Sequence, residues 1–256
     1  MNQNSAKRNR KKMIVMFVLF ILAAALYMTV GVKFENQKLF EYSMKIRTPK
    51  LIAMMITAYA IGSAAIVFQS IINNTIVTPC LLGMDALYTM IHTILVFILG
   101  SGSALVVNAN CSFLIDLVIM GVTATIIYSY LFKKTKHNVL YVLLIGTVLT
   151  SLFSSIQSTM TRIMDPNEYD TLLTTLVASF SNVNSEIMIL SITVLLIVAI
   201  ALRKELYILD VLTLGKEQAI NLGVDYDASI RKLLLGVTLY ICLLYTSPSP
   251  RDVEES

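Results

Sequence analysis

Long uncharged runs separated by short polar or basic breaks make up most of this chain, and their lengths predict helices that cross a membrane. Met13 to Val32 holds twenty uncharged residues. At 1.5 Å per residue such a stretch covers a hydrocarbon core of about 30 Å. The basic run before it, Lys7, Arg8, Arg10, Lys11 and Lys12, has the look of a secretory signal. The length of the stretch and the lack of a clear small-x-small cleavage site favour a retained first helix over 13–32. A polar loop over 33–50 leads into the longest uncharged run, Leu51 to Met84, which Asn73, Asn74 and Pro79 divide with turn chemistry. A second helix over 51–72 and a third over 80–100 follow. In the second, Ala58, Ala60, Gly62, Ser63, Ala64 and Ala65 offer small surfaces for close helix packing.

The same pattern predicts a loop at 101–110, a fourth helix over 111–132 closed by Lys133, Lys134 and Lys136, and a fifth over 139–160. After a loop with Asp165, Pro166, Asn167, Glu168 and Asp170 comes a partly apolar run, 171–180, too short to cross. A sixth helix over 186–202 ends at Arg203 and Lys204. A seventh starts at Leu233 and meets Pro248 and Pro250 after about a dozen apolar residues, too few to span.

One stretch departs from this rhythm. Arg203 to Lys232 is charged and amphipathic and reads as two short helices. Leu206, Leu209, Val211, Leu212 and Leu214 form an apolar first half, and Gly215 punctuates it. Ala219, Ile220 and Leu222 continue on a second helix, and Gly223 suits the left-handed position after a helix end. Two readings fit: an amphipathic connector lying on lipid headgroups, or a docking surface for a soluble cytoplasmic partner.

Composition agrees with the membrane reading: of 256 residues, 56% are hydrophobic and 14% charged, with a mean hydropathy of +0.74, which excludes a water-soluble domain. The net charge of +4 sits in clusters and not along a face that could track nucleic acid, so it speaks of orientation. With the N-terminus inside, the inner breaks hold Lys7, Arg8, Arg10, Lys11, Lys12, Lys133, Lys134, Lys136, Arg203, Lys204, Lys216, Arg231 and Lys232. The outer ones hold Lys33, Lys38, Lys45, Arg47, Lys50 and Arg162. This bias places 203–232 in the cytoplasm. Five of the outer charges crowd into 33–50, against the trend.

The candidate chemistry is sparse. Cys80, Cys111 and Cys242 lack metal-ligand spacing and read as small apolar residues. Asp85, His92 and Asp116 are ionisable groups in or near spans; the two carboxylates are expected at headgroup level and His92 to stand alone. No His, Cys or carboxylate cluster forms a metal site. On the fifth helix Thr147, Ser151, Ser154 and Ser158 recur at intervals of four, three and four, with Thr150, Ser155 and Gln157 beside them. Such a hydroxyl face either lines a wet path or bonds its own backbone and knits helices together.

The stretch 46–89, with Arg47, Pro49, Lys50, Gln69, Asn74, Pro79 and Gly83, resembles the permeases of iron-siderophore and cobalamin ATP-binding-cassette importers. Their pattern is Arg-x-Pro-Arg, a small-residue helix, Gln, an Asn-rich turn, Pro and Leu-Gly. LTLGKEQAINLGV, 212–224, resembles the family's cytoplasmic coupling segment, and the two matches stand in the right order with the right number of helices between them. There are departures. Lys50 replaces the second Arg, Asn74-Thr75-Ile76 replaces Asn-Pro-Leu, Ala65 replaces a glycine, and Val177-Ala178-Ser179 lacks the tryptophan of Trp-x-x-Gly-Ser. These features are most similar to the branch of Gram-positive permeases for catecholate-type siderophores.

The resemblance implies an all-α, polytopic transmembrane bundle of about six complete helices and a truncated seventh, multi-pass in a bacterial cell membrane with a cytoplasmic N-terminus. It divides the chain into a basic cytoplasmic N-terminus (1–12), a permease domain (13–241) with a coupling segment (204–224), and a tail (242–256). The tail's LLYTSPSPRD resembles a translated sequencing-library adapter, so the chain is expected to be an amino-terminal fragment.

By the same resemblance the cargo is a ferric siderophore, with cobalamin or haem as alternatives. The partners are cytoplasmic ATPase subunits, an extracellular substrate-binding lipoprotein and a second permease, identical or different. No cofactor is bound directly and ATP is used by the partner, which agrees with the absence of a GxxxxGK[ST] loop from this chain. Arg47 and Lys50 would meet the binding protein, and Thr147, Ser151, Ser154 and Ser158 would line the pathway. Leu214, Gly215, Lys216, Glu217, Gln218, Ala219, Leu222 and Gly223 would couple to the ATPase. A secondary transporter would need ion or proton sites near the midplane, and an enzyme would need convergent nucleophile and base groups; neither is found in the sequence.

Overall fold

A computed structural model of the chain describes residues 3–30, 37–135, 139–176 and 185–245. Of the adapter-like tail 242–256, residues 246–256 lie outside the described residues, as do Lys33, Lys136 and the Val177-Ala178-Ser179 departure. Among the described residues the secondary structure is helical, and the chain divides into two units, Met1–Ile52 and Ala53–Ser256.

The first unit holds α1 (Gln3–Thr29) and the start of α2 (Gln37–Ile72). The expected loop at 33–50 is therefore helical from Gln37 onward. Pro49 lies inside α2, where it removes one backbone donor without ending the helix. Helix continuity here overrides the loop signal given by charge.

In the second unit the predicted third crossing is replaced by a 3-10 turn, Pro79–Leu82, and a shorter helix, α3 (Met84–Leu99). Gly83 forms the joint with φ +75°, a backbone region cheap only for glycine. There follow α4 (Ala104–Val107), α5 (Ala109–Lys134) and α6 (Val139–Ile163). The Asn108 side chain caps α5 by accepting from the Asn110 and Cys111 amides.

The loop and apolar run around 165–180 prove to contain a helix, α7 (Pro166–Leu176), with Pro166 in its first turn and Asp165 Oδ1 accepting from the Asn167 amide at 2.9 Å. Its Leu172 is buried beside Val96, Val106 and Met164.

The rest comprises α8 (Ser185–Tyr207), α9 (Leu209–Leu212), α10 (Lys216–Asn221) and α11 (Tyr226–Tyr245). The seventh helix thus begins seven residues before Leu233. Asp225 starts it, its carboxylate accepting from the Ala228 amide at 3.1 Å and its carbonyl from Ser229 at 3.0 Å. At 20 residues α11 has a length of about 30 Å, and with Asp227, Arg231 and Lys232 in its first two turns it is not among the helices long and apolar enough to cross, as expected of the seventh segment.

Among the described residues five helices, α1, α2, α5, α6 and α8, are long and apolar enough to cross a membrane; α3, with 16 residues, is shorter. The chain is a multi-pass helical membrane protein.

Within the second unit α11 packs on α5 and α8, and α3 packs on α5 and α6. Phe68, Leu87, Met120, Leu233 and Leu234 are among the fully buried side chains, and Phe68 meets Phe132 edge-on at 6.2 Å. Of the small-residue face on α2, Ala60 and Ala64 enter this core while Gly62 has open space around it. The 3-10 turn is held from two sides. Tyr128 of α5 donates to the Leu82 carbonyl at 2.8 Å, and α6 lies so close that a Cβ on Gly83 would fall 2.3 Å from Thr150 Oγ1. A Cβ on Gly146 would meet the Leu82 backbone at 3.0 Å. The two glycines let α6 seat directly on the turn.

Candidate functional site

The hydroxyl face of α6 is exposed, but its members differ. Thr147, Ser151, Ser155 and Thr159 each donate to a carbonyl three or four residues back on their own helix. These four satisfy the reading in which hydroxyls bond their own backbone. Ser154 and Ser158 are exposed and have no hydrogen-bond partner among the described residues. With Arg162 they form a row at intervals of four. A shallow polar cavity of about 320 Å³ is lined by this row together with Ser155 and Thr159. Gln157 turns away from it, its Oε1 accepting from Thr89 of α3 at 3.1 Å. Of the four predicted pathway residues, Ser154 and Ser158 present unused hydroxyls, whereas Thr147 and Ser151 spend theirs locally.

The segment between α8 and α11 folds as the two short helices expected. α10 closes with Gly223 in the left-handed region (φ +83°), the Gly223 amide bonding to the Ile220 carbonyl and the Val224 amide to Ala219. Gly215, at φ +97°, separates the helices. Ala219 and Leu212 are buried and fix the pair to the core, while Leu214, Ile220 and Leu222 expose more than half their surface. Glu217, Gln218 and Gly223 are exposed as well. Of the eight predicted coupling residues, Ala219 is buried and anchors the segment.

One ion pair ties this segment to α11, and a second ties α11 to α8. Lys216 Nζ reaches both carboxylate oxygens of Asp227 at 2.8 and 2.7 Å, and Lys232 meets the buried Glu205 of α8 at 2.7 Å. The arrangement is a short helical lever rooted on two long helices.

In the first unit Arg47 is already engaged. Its Nη1 donates to the Tyr27 and Val30 carbonyls, both at 2.7 Å, and its guanidinium lies 5.9 Å over the Tyr27 ring. It thereby satisfies carbonyls that the end of α1 leaves without helical donors. Lys50 is half-buried and makes no polar contact among the described residues.

One arrangement was missed from the sequence. His92 and Asp116 are both buried, with His92 Nδ1 2.7 Å from Asp116 Oδ2, and the Tyr88 ring stacks on the imidazole at 6.1 Å. The expectation of a solitary histidine is corrected, and Asp116 faces the interior of the bundle. The available signal was register: Asp116 falls on the stripe Phe113, Met120, Ala124 and Tyr128, all of them core residues. Among the described residues no group of three His, Cys, Asp or Glu could hold a metal ion.

A bundle of several helices long and apolar enough to cross a bilayer defines a polytopic membrane protein. Residues 12–247 match the model of the FecCD transport family, and the chain belongs to that family. It is 33% identical over 234 residues to the petrobactin import system permease protein YclO of Bacillus subtilis (strain 168), covering 91% of this chain and 73% of that protein. It is 32% identical over 200 residues to the petrobactin import system permease protein FatC of Bacillus anthracis, covering 78% of this chain and 56% of that one. A solved metal-chelate type ABC transporter in an inward-facing conformation superposes with a TM-score of 0.72 at 20% identity, over 94% of this chain and 75% of that one, which shows the fold.

Proposed function

We propose that the chain is the membrane-spanning permease subunit of an ATP-driven importer that carries a ferric siderophore of the petrobactin class into the cell. The observation that carries this reading is the 33% identity to a petrobactin import permease across 91% of the chain. The geometry supports it. The free hydroxyls of Ser154 and Ser158, with Arg162 at one end of their row, give a polar surface suited to an anionic chelate that keeps its metal wrapped. Ferric iron would cross inside its chelator, and no protein ligands for it are needed.

The subunit would not itself be a catalyst; hydrolysis would fall to ATPase subunits docked on the exposed apolar edge of Leu214, Ile220 and Leu222. Their closure would push α9 and α10, and the Lys216–Asp227 and Lys232–Glu205 pairs would pass that push to α11 and α8. The basic-residue bias puts this lever and the N-terminus in the cytoplasm. A second permease would complete the path, and an external binding protein would deliver cargo near Lys50, with Arg47 holding the α1–α2 corner in shape.

Competition in uptake assays tests the cargo. Unlabelled ferric petrobactin should suppress accumulation of its iron-labelled form through this permease, while cobalamin and haem should not. Equal suppression by cobalamin would overturn the assignment.

A further inference from the structure

Where the end of α5 meets the start of α11, a pocket of about 180 Å³ opens beside the root of the lever. Lys133 and Arg231 stand on its two sides, and neither has an ion-pair partner among the described residues. Ser129 also lines it, and its buried hydroxyl has no hydrogen-bond partner among the described residues. The one carboxylate present, Asp227, is neutralised through both oxygens by Lys216. The pocket thus offers two uncompensated cations and an unused hydroxyl, a donor set that calls for a ligand rich in acceptor oxygens.

Size and position narrow the ligand. The volume equals that of about six water molecules, room for a phosphate and part of a polar headgroup. A helix of roughly 10–12 Å diameter could not enter. Tyr130, 64% exposed at the rim with Lys134 5.6 Å over its ring, is the kind of aromatic that sits at headgroup level. We propose that this pocket binds the phosphate of an anionic phospholipid headgroup in the leaflet at the Lys133 end of α5. Because Asp227 both walls the pocket and holds Lys216, a bound headgroup would brace the base of α10. The site rests on α5 and α11 and is independent of the cargo.

Native mass spectrometry of the purified full chain, titrated separately with phosphatidylglycerol, phosphatidylcholine, inorganic phosphate and a polyglutamate peptide, tests this. Phosphatidylglycerol should be retained in preference to the others. The combined Lys133→Gln and Arg231→Gln change should weaken its retention about tenfold or more. Ser129→Ala, which leaves every charge in place, should weaken it a few-fold and decides the matter if the double variant does not fold. Undiminished retention in these variants would overturn the proposal. So would inorganic phosphate binding as well as the lipid, which would assign the pocket to a free anion, or preferential binding of the peptide, which would assign it to a protein.

Discussion

An imidazole and a carboxylate 2.7 Å apart inside a membrane protein hold α3 to α5 and are costly to part. Removing one partner leaves the other buried and uncompensated, a loss of about 3–5 kcal/mol, whereas replacing both with apolar groups is often close to neutral. His92→Leu alone should therefore lower the unfolding midpoint in detergent far more than the His92→Leu, Asp116→Leu double variant; equal losses would show that the pair is not coupled. Gly83 makes a second prediction. An added methyl would meet both the left-handed φ and Thr150 Oγ1, so Gly83→Ala should cost about 2–5 kcal/mol, read from the same transition. Gly83 stood out in the sequence only through the family's Leu-Gly pattern, and the third helix drawn over 80–100 ran across the joint that it forms. The His92–Asp116 pairing was not legible, because it joins positions 24 apart whose meeting depends on how two helices pack. The engagement of Arg47 with α1 was hidden for the same reason.

The lever shows what local signals can and cannot give at the level of elements. Gly215 and Gly223 marked both ends of its second helix correctly, because a left-handed backbone has few alternatives to glycine. The start of α11 was missed by seven residues, since Arg231 and Lys232 looked like the end of a loop. In the structure their charges are accommodated at the surface, and Asp225 supplies the cap. Mechanically, Lys216–Asp227 links α10 to α11 across exposed side chains, so by itself it contributes less than about 1 kcal/mol to stability. Lys216→Ala should leave the unfolding midpoint nearly unchanged while lowering the transport achieved per ATP hydrolysed several-fold. An unaltered ratio would remove the link from the coupling path. On α6 the period of the hydroxyl face was legible, but which hydroxyls are free was not. Thr147, Thr150, Ser151, Ser155 and Thr159 fold back on carbonyls three or four residues earlier, a choice set by rotamer and not by spacing.

For the whole molecule, the sequence pattern recovers the membrane-spanning class, the order of its main helices and the family. It does so because length, apolarity and turn chemistry act locally, while the divided third segment and the helix after Asp165 depend on a turn and on packing. The central claim is that the α9–α10 lever transmits work from an ATPase to a polar path through the helices. Its most direct test is accumulation of iron-labelled ferric petrobactin in vesicles containing the permease assembled with its ATPase, with ATP supplied only on the side that Leu214 faces. Accumulation that requires ATP on that side, and that falls away when Leu214 and Leu222 are changed to Asp, is the predicted result. Accumulation that proceeds without the ATPase, driven by an ion gradient, would contradict it.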